Sequence, residues 1–194
     1  MALPNRAPIP VSQQLNLVGY LPIIGNLFGG GQKKPSAPST PKPIQPQKPK
    51  GAVINREIRA QLVNTATQIA NNYGLPSDKF IAIIQQESGF NPTARGKAGE
   101  IGIAQIIPQY HPNVNPHDPI QSMDYLARFL VNTAAQMAQI YGPDMALPAA
   151  VAAWNAGTPS VSSGKIPQTT YNYVANVFGK NVADELVRRA SGRP

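Results

Sequence analysis

The feature that most constrains this 194-residue chain is a change of composition near residue 50. The first 50 residues hold ten of the 21 prolines and six basic side chains, with no acid. The remainder holds eleven basic and nine acidic side chains, so the net charge of +8 divides into +6 and +2. Proline fixes φ and removes a backbone donor, so residues 1–14 read as extended, and Pro22 with Gly25 prevents one long helix further on. A folded core must therefore come from residues 51–194, and the high pI describes the basic arm rather than the domain. Within the arm, residues 1–14 are Pro-broken and 15–31 (LNLVGYLPIIGNLFGGG) carry no charge at all. Residues 32–50 (QKKPSAPSTPKPIQPQKPK) have too little apolar surface to fold and read as a polyproline-like linker of about 3.1 Å per residue.

From about Asn55 the period becomes helical. Ile58, Leu62, Val63, Ala66, Ile69, Ala70 and Tyr73 recur at three- and four-residue steps, with Gly74 as a stop. Ser77 is placed to cap a second helix bearing Phe80, Ile81, Ile83 and Ile84, which runs to Glu87 and halts at Gly89. A polar loop over 93–100 and a short helix over 102–107 are expected next. A long helix starts near Pro119, an Ala-rich one covers 144–156, and two more cover 167–178 and 180–190. Strand signals are sparse, so the fold class is all-α, and roughly 140 residues suffice for a core. With no cysteine, two histidines and no apolar run of about 18 residues, the chain offers no disulfide, thiolate or spanning helix. No metal site and no cofactor are expected.

Most of the nine acids have an ordinary reading: Asp78 favours a helix dipole, Asp118 precedes a helix start, and Asp184 and Glu185 share a solvated face with Arg188 and Arg189. Glu87 differs. It ends an apolar helix just after Ile83 and Ile84, where partial desolvation raises a carboxyl's pKa. A carboxyl kept protonated near neutral pH is the general acid that glycosidic cleavage needs.

Three motifs extend this reading. Glu87-Ser88-Gly89-Phe90-Asn91-Pro92-Thr93-Ala94 precedes Gly102-Ile103-Ala104-Gln105-Ile106-Ile107-Pro108; then come Ala152-Ala153-Trp154-Asn155-Ala156-Gly157 and Pro167 through Tyr173-Val174. In this order they resemble the soluble lytic transglycosylase (SLT) family, whose patterns are E-S-x-F-N-P-x-A, G-L-M-Q-I-M-P, A-A-Y-N-A-G and P-x-E-T-x-x-Y-V. The likeness spans about residues 55–180 and none of the arm. It departs from the pattern at Ala104 (Met in the family), Trp154 (Tyr) and Thr169 (Glu).

The resemblance implies a goose-type, lysozyme-like helical domain acting on peptidoglycan glycan strands. Glu87 is then the catalytic acid, protonating the oxygen between N-acetylmuramic acid and N-acetylglucosamine. Glu100 is the acid nearest in sequence, but no obvious second carboxylate completes a two-acid mechanism, so a 1,6-anhydro product is expected. Carried over as substrate-binding are Ser88, Gln105, Trp154, Asn155 and Tyr173, with Ser88, Gln105, Asn155 and Tyr173 bonding the sugar or orienting the carboxyl. Read alone, Ser88 and Asn155 also suit helix C-caps, Gln105 a core-facing amide and Tyr173 a core aromatic. Trp154 can stack on a sugar ring, whereas Phe90 suits the core. Rival readings are a goose-type lysozyme or phage endolysin that hydrolyses the same bond, and a non-catalytic glycan-binding protein.

Location follows from the substrate, which lies outside the cytoplasmic membrane. In MALPNRAPIPVSQQ, Pro4, Pro8 and Pro10 interrupt any apolar export core, and no small-residue cleavage site follows. The expectation is a bacteriophage virion protein acting in the periplasm. Residues 1–31 would then dock onto other virion proteins, or residues 15–31 contact a membrane, with 32–50 as tether and 51–194 as the enzyme domain. Lysines scattered among prolines, without interleaved aromatics, argue against specific nucleic-acid binding.

Overall fold

The structure, a computed structural model, describes residues 55–192. The docking or membrane-active stretch (1–31) and the linker (32–50) lie outside the described residues. Helix α1 (Arg56–Tyr73) opens on Asn55, whose Oδ1 accepts the Glu57 N–H at 3.0 Å, and closes on Gly74 in the left-handed region. One stripe of it, Leu62, Ala66, Ile69 and Ala70, is buried.

Helix α2 (Ser77–Ser88) begins one residue earlier than expected. Ser77 is the first helical residue and makes no capping bond; Pro76 takes the cap position, its carbonyl accepting from Lys79 and Phe80. The ring fixes φ near the helical value, so the chain enters the helix without a side-chain cap. At the far end Gly89 and Phe90 both have positive φ, 62° and 66°, which reverses the chain within two residues. A bulky side chain is costly there, and Phe90 stays because its ring is fully buried.

No helix forms over 102–107. Gly102 (φ 77°) and Gln105 (φ 50°) are both left-handed, which no right-handed helix accommodates. The chain instead makes a small closed turn, Ile101 and Ile106 exchanging N–H···O bonds at 2.9 and 3.0 Å, while Gly102 N–H reaches the Ala94 carbonyl. Ile103, Ala104 and Ile106 are wholly buried, so the apolar residues that looked like a helical stripe are plugs under a loop. Gly102 is required twice over: a Cβ there would lie 2.0 Å from the Pro116 carbonyl oxygen.

Helix α3 (Pro119–Tyr141) is capped by Asp118, which accepts from the N–H groups of Ile120 and Gln121. Met123, Leu126, Ala127 and Leu130 face one apolar cluster with α1 and α2. Met137 and Tyr141 enter a second cluster with the C-terminal helices. The expected helix 144–156 is divided: Pro143–Met145 make one 3-10 turn, and α4 (Ala146–Ala156) follows. The run Ala149–Ala153 is buried on every side, its mostly small side chains letting α3 and the helices at 158–162 and 168–178 approach closely. A short α5 (Thr158–Ser162), α6 (Gln168–Phe178) and α7 (Lys180–Ser191) complete the fold. Arg189 of α7 pairs with Asp144 and Glu185 at 2.6 Å, solvent-screened pairs that add little to stability. Among the described residues there is no strand beyond isolated bridges, and no helix is long and apolar enough to cross a membrane.

Candidate active site

Three helix segments far apart in sequence converge on one carboxyl. The last turn of α2 carries Glu87 behind the fully buried Ile83 and Ile84. From α6 the Tyr173 hydroxyl donates to Glu87 Oε1 at 2.5 Å, and from α4 the Trp154 indole Nε1–H donates to the same oxygen at 2.9 Å. No protein group among the described residues bonds to Oε2, so the two oxygens are inequivalent. One is fixed by donors, and the other is available to carry a proton.

Electrostatics decide the protonation state. Burial pushes the Glu87 carboxyl up from 4.5 to about 7; the bonds from Tyr173 and Trp154, which favour the charged form, pull the other way, and the charge of Glu100 adds a smaller upward push. Desolvation wins, as expected where a carboxyl trades bulk water for two donors. Tyr173 is only 7% exposed, and burial together with the adjacent carboxylate drives its hydroxyl well above the ordinary tyrosine value, so it remains a donor. A carboxyl near 7 is about half protonated at neutral pH, the condition under which one group can both give and take a proton.

Glu87 lies at a cleft of about 550 Å³. Glu100, Gln105, Ile107 and Tyr110 line it together with Trp154 through Thr158. Gln105 is held by its strained backbone and by Nε2 donating to the Gly102 carbonyl at 2.8 Å, which leaves Oε1 without a protein partner. Asn155 is exposed at the cleft; its Oδ1 accepts from the buried Thr170 hydroxyl at 2.7 Å, so its amide nitrogen is the group left to a ligand. Glu100 also borders the cleft. Its Oε2 accepts the Ala98 N–H at 2.8 Å, and a Cβ on Gly96 would lie 2.1 Å from that oxygen, so glycine makes room for the carboxylate.

Other residues named from sequence fall elsewhere. Ser88 does not line the cleft; its hydroxyl donates to the Ile103 carbonyl at 2.7 Å, fastening the 101–106 turn to the end of α2. Tyr173 stands behind Glu87 and reaches it only through its hydroxyl. Phe90 and Ala104 are in the core, so the missing methionine at position 104 removes packing volume under the loop. Thr169 is exposed and Thr170, its neighbour, braces Asn155.

Sequence reasoning missed the aromatic wall around Trp154. His111 stacks on the indole with centroids 5.9 Å apart, Phe129 meets it edge-on at 4.9 Å, and Tyr125 lies 6.3 Å away. Tyr125 and Phe129 are four apart on α3, a spacing that puts both on one helix face. That pair was the available signal; nothing local tied His111 to it.

A lysozyme-like helical domain with a single half-protonated acid on an open polar and aromatic cleft belongs to the class that handles polysaccharide chains. Comparison with known families narrows the class. The family described as the transglycosylase SLT domain matches residues 64–173, which is more than half of the chain and includes every site residue above. The chain belongs to that family. Membership supports a lytic transglycosylase type of activity and implies a peptidoglycan substrate.

Proposed function

We propose that the chain cleaves the β-1,4 bond between N-acetylmuramic acid and N-acetylglucosamine without water, leaving a 1,6-anhydromuramyl end. The observation that carries this reading is the Glu87 carboxyl, pushed by burial to a pKa of about 7 and held through one oxygen by Tyr173 and Trp154 at the cleft. In the first step the Oε2 proton of Glu87 passes to the glycosidic oxygen. The C1–O bond breaks, and the substrate's own 2-acetamido oxygen supports the positive charge at C1. In the second step the Glu87 carboxylate takes the proton of the muramyl 6-hydroxyl while that oxygen bonds to C1. Glu87 ends protonated, as it began. General acid–base work of this kind contributes about 10²–10⁴-fold.

A second reading has one specific observation in its favour. Glu100 lines the same cleft, and a second carboxylate able to activate water would make the reaction hydrolytic. Digestion of purified murein by the full chain, followed by mass spectrometry, separates these cases. Anhydro ends, lighter by one water than hydrolysed ends, support the transglycosylase. Reducing ends carrying oxygen from labelled water support the lysozyme. Uncleaved murein under all conditions leaves a glycan-binding protein.

The arm supports a further part of the proposal, delivery on a bacteriophage particle to the periplasmic face of the wall. An uncharged apolar stretch (15–31) joined to the domain by a Pro/Lys linker (32–50) suits retention on a larger assembly by docking to its proteins. Contact with an anionic membrane is the rival, since Lys33 and Lys34 adjoin the stretch. Deleting residues 1–31 is expected to spare murein cleavage and abolish incorporation into particles. Normal incorporation of that truncation, or strong liposome binding by the isolated peptide, favours the membrane.

A further inference from the structure

His111 belongs to none of the motifs that carry the family likeness, yet it stands on the wall of the cleft that holds Glu87. Its ring lies within 18° of parallel to the Trp154 indole, the same indole whose Nε1–H grips the catalytic carboxyl. Its Nδ1 is 2.7 Å from the Tyr125 hydroxyl. That pair has two proton arrangements. Burial pushes the Tyr125 hydroxyl above its ordinary value, so the phenol keeps its proton. With the phenol donating to Nδ1, the imidazole hydrogen sits on Nε2, where no protein group among the described residues accepts it. With the hydrogen on Nδ1 instead, the phenol oxygen accepts, its proton faces solvent and Nε2 is an acceptor.

Nε2 has no protein partner among the described residues. Burial also lowers the pKa of His111, which favours the neutral ring. Tyr125 is itself fixed: the Arg128 guanidinium lies 5.8 Å over its ring, Arg128 pairs with Asp124 at 3.7 Å, and Asp124 accepts from the Tyr73 hydroxyl at 2.8 Å. The Tyr125 ring beside His111 is thus braced from α3 back to α1.

We infer that His111 is a glycan-binding residue whose Nε2–H donates to an uncharged oxygen, an N-acetyl carbonyl or a hydroxyl, of the sugar beside Glu87. This rests on the peptidoglycan reading above. A neutral N–H suits a neutral acceptor, whereas a carboxylate would draw a second proton onto the ring. Tyr125 acts through His111 as a positioning residue. The contact also joins substrate to acid, because the ring that grips the sugar is stacked on the indole that grips Glu87.

The test is equilibrium binding of a soluble MurNAc–GlcNAc tetrasaccharide to full-length Glu87→Gln, which binds without turnover, compared with Glu87→Gln carrying His111→Phe. Phenylalanine keeps an aromatic face on Trp154 but has no N–H. Loss of one neutral hydrogen bond is expected to weaken binding about three- to tenfold. His111→Gln, which keeps an N–H, should recover part of that loss. Imidazole ¹⁵N shifts provide a check independent of the variants' folding: the free protein should show the Nε2–H tautomer, and Nε2 should move on addition of the tetrasaccharide. Equal affinity with and without His111→Phe, or an Nδ1–H tautomer, overturns the inference. If Glu87→Gln itself binds no tetrasaccharide, the peptidoglycan reading falls and takes this contact with it.

Discussion

Glu87→Gln is expected to do two things that a surface substitution does not do together. The amide oxygen can accept from Tyr173 and Trp154 as Oε1 does, and the amide nitrogen takes the place of the protonated Oε2, so the fold should be preserved. Cleavage should fall by at least about 10²–10⁴-fold, because an amide has no acidic proton for the leaving oxygen. Stability should change with pH in a set direction. The carboxyl titrates at about 7 in the folded protein and at 4.5 without its surroundings. Between those values the folded state binds more protons than the unfolded state, so this group's contribution to stability falls as pH rises through the window and is fully lost above the folded value. At 1.36 kcal/mol per pH unit, the gap sets a ceiling of about 3 kcal/mol, reduced by whatever water reaches the half-buried carboxyl. Relative to its own difference at pH 4, the variant should be more stable than the parent at pH 8 by up to that amount, about 5–10 °C in Tm for a domain of this size. Thermal melts followed by far-UV circular dichroism between pH 4 and 8.5 measure this. A Tm difference that does not vary with pH refutes the desolvation argument, and near-parental turnover removes Glu87 from catalysis.

Tyr173→Phe removes a donor that favours the charged carboxylate, so the alkaline limb of the pH–rate profile should move up by about one to two pH units; an unmoved limb means the hydroxyl does not reach the acid in solution. Gly102→Ala places a Cβ against the Pro116 carbonyl at a positive φ and should cost at least about 2 kcal/mol in chemical denaturation, with a loss of activity because the turn carries Gln105. Asp118→Ala removes the α3 cap and should cost about 1 kcal/mol while leaving the rate per folded molecule unchanged.

The helices were legible because their punctuation is local. Asn55, Gly74, Gly89 and Asp118 act on backbone groups within a turn of themselves, and each stands where its chemistry puts it. The 102–107 segment was misread for a physical reason. Ile103, Ile106 and Ile107 have helical spacing, but two left-handed residues turn the chain so that Ile103 and Ile106 point into the core as plugs. The desolvation of Glu87 was legible from Ile83 and Ile84 beside it. Its two donors lie 67 and 86 residues away, and only the motif likeness brought them into view, Trp154 as a ring to stack on sugar and Tyr173 as a group to bond the sugar or orient the carboxyl. Ser88 illustrates the converse: its motif position suggested substrate, and its hydroxyl is spent on the Ile103 carbonyl. His111 carried no signal of its own, because its meaning depends on Tyr125 and Trp154 arriving from other helices.

The most direct test of the mechanism is a titration of the Glu87 side-chain carboxyl in the intact chain by ¹³C NMR. An inflection near 7 is expected, moving higher in Tyr173→Phe as the favourable donor is lost. An inflection near 4.5 in the parent protein would mean that the carboxyl is ionised at neutral pH, with no proton to give the glycosidic oxygen, and would contradict the single-acid mechanism.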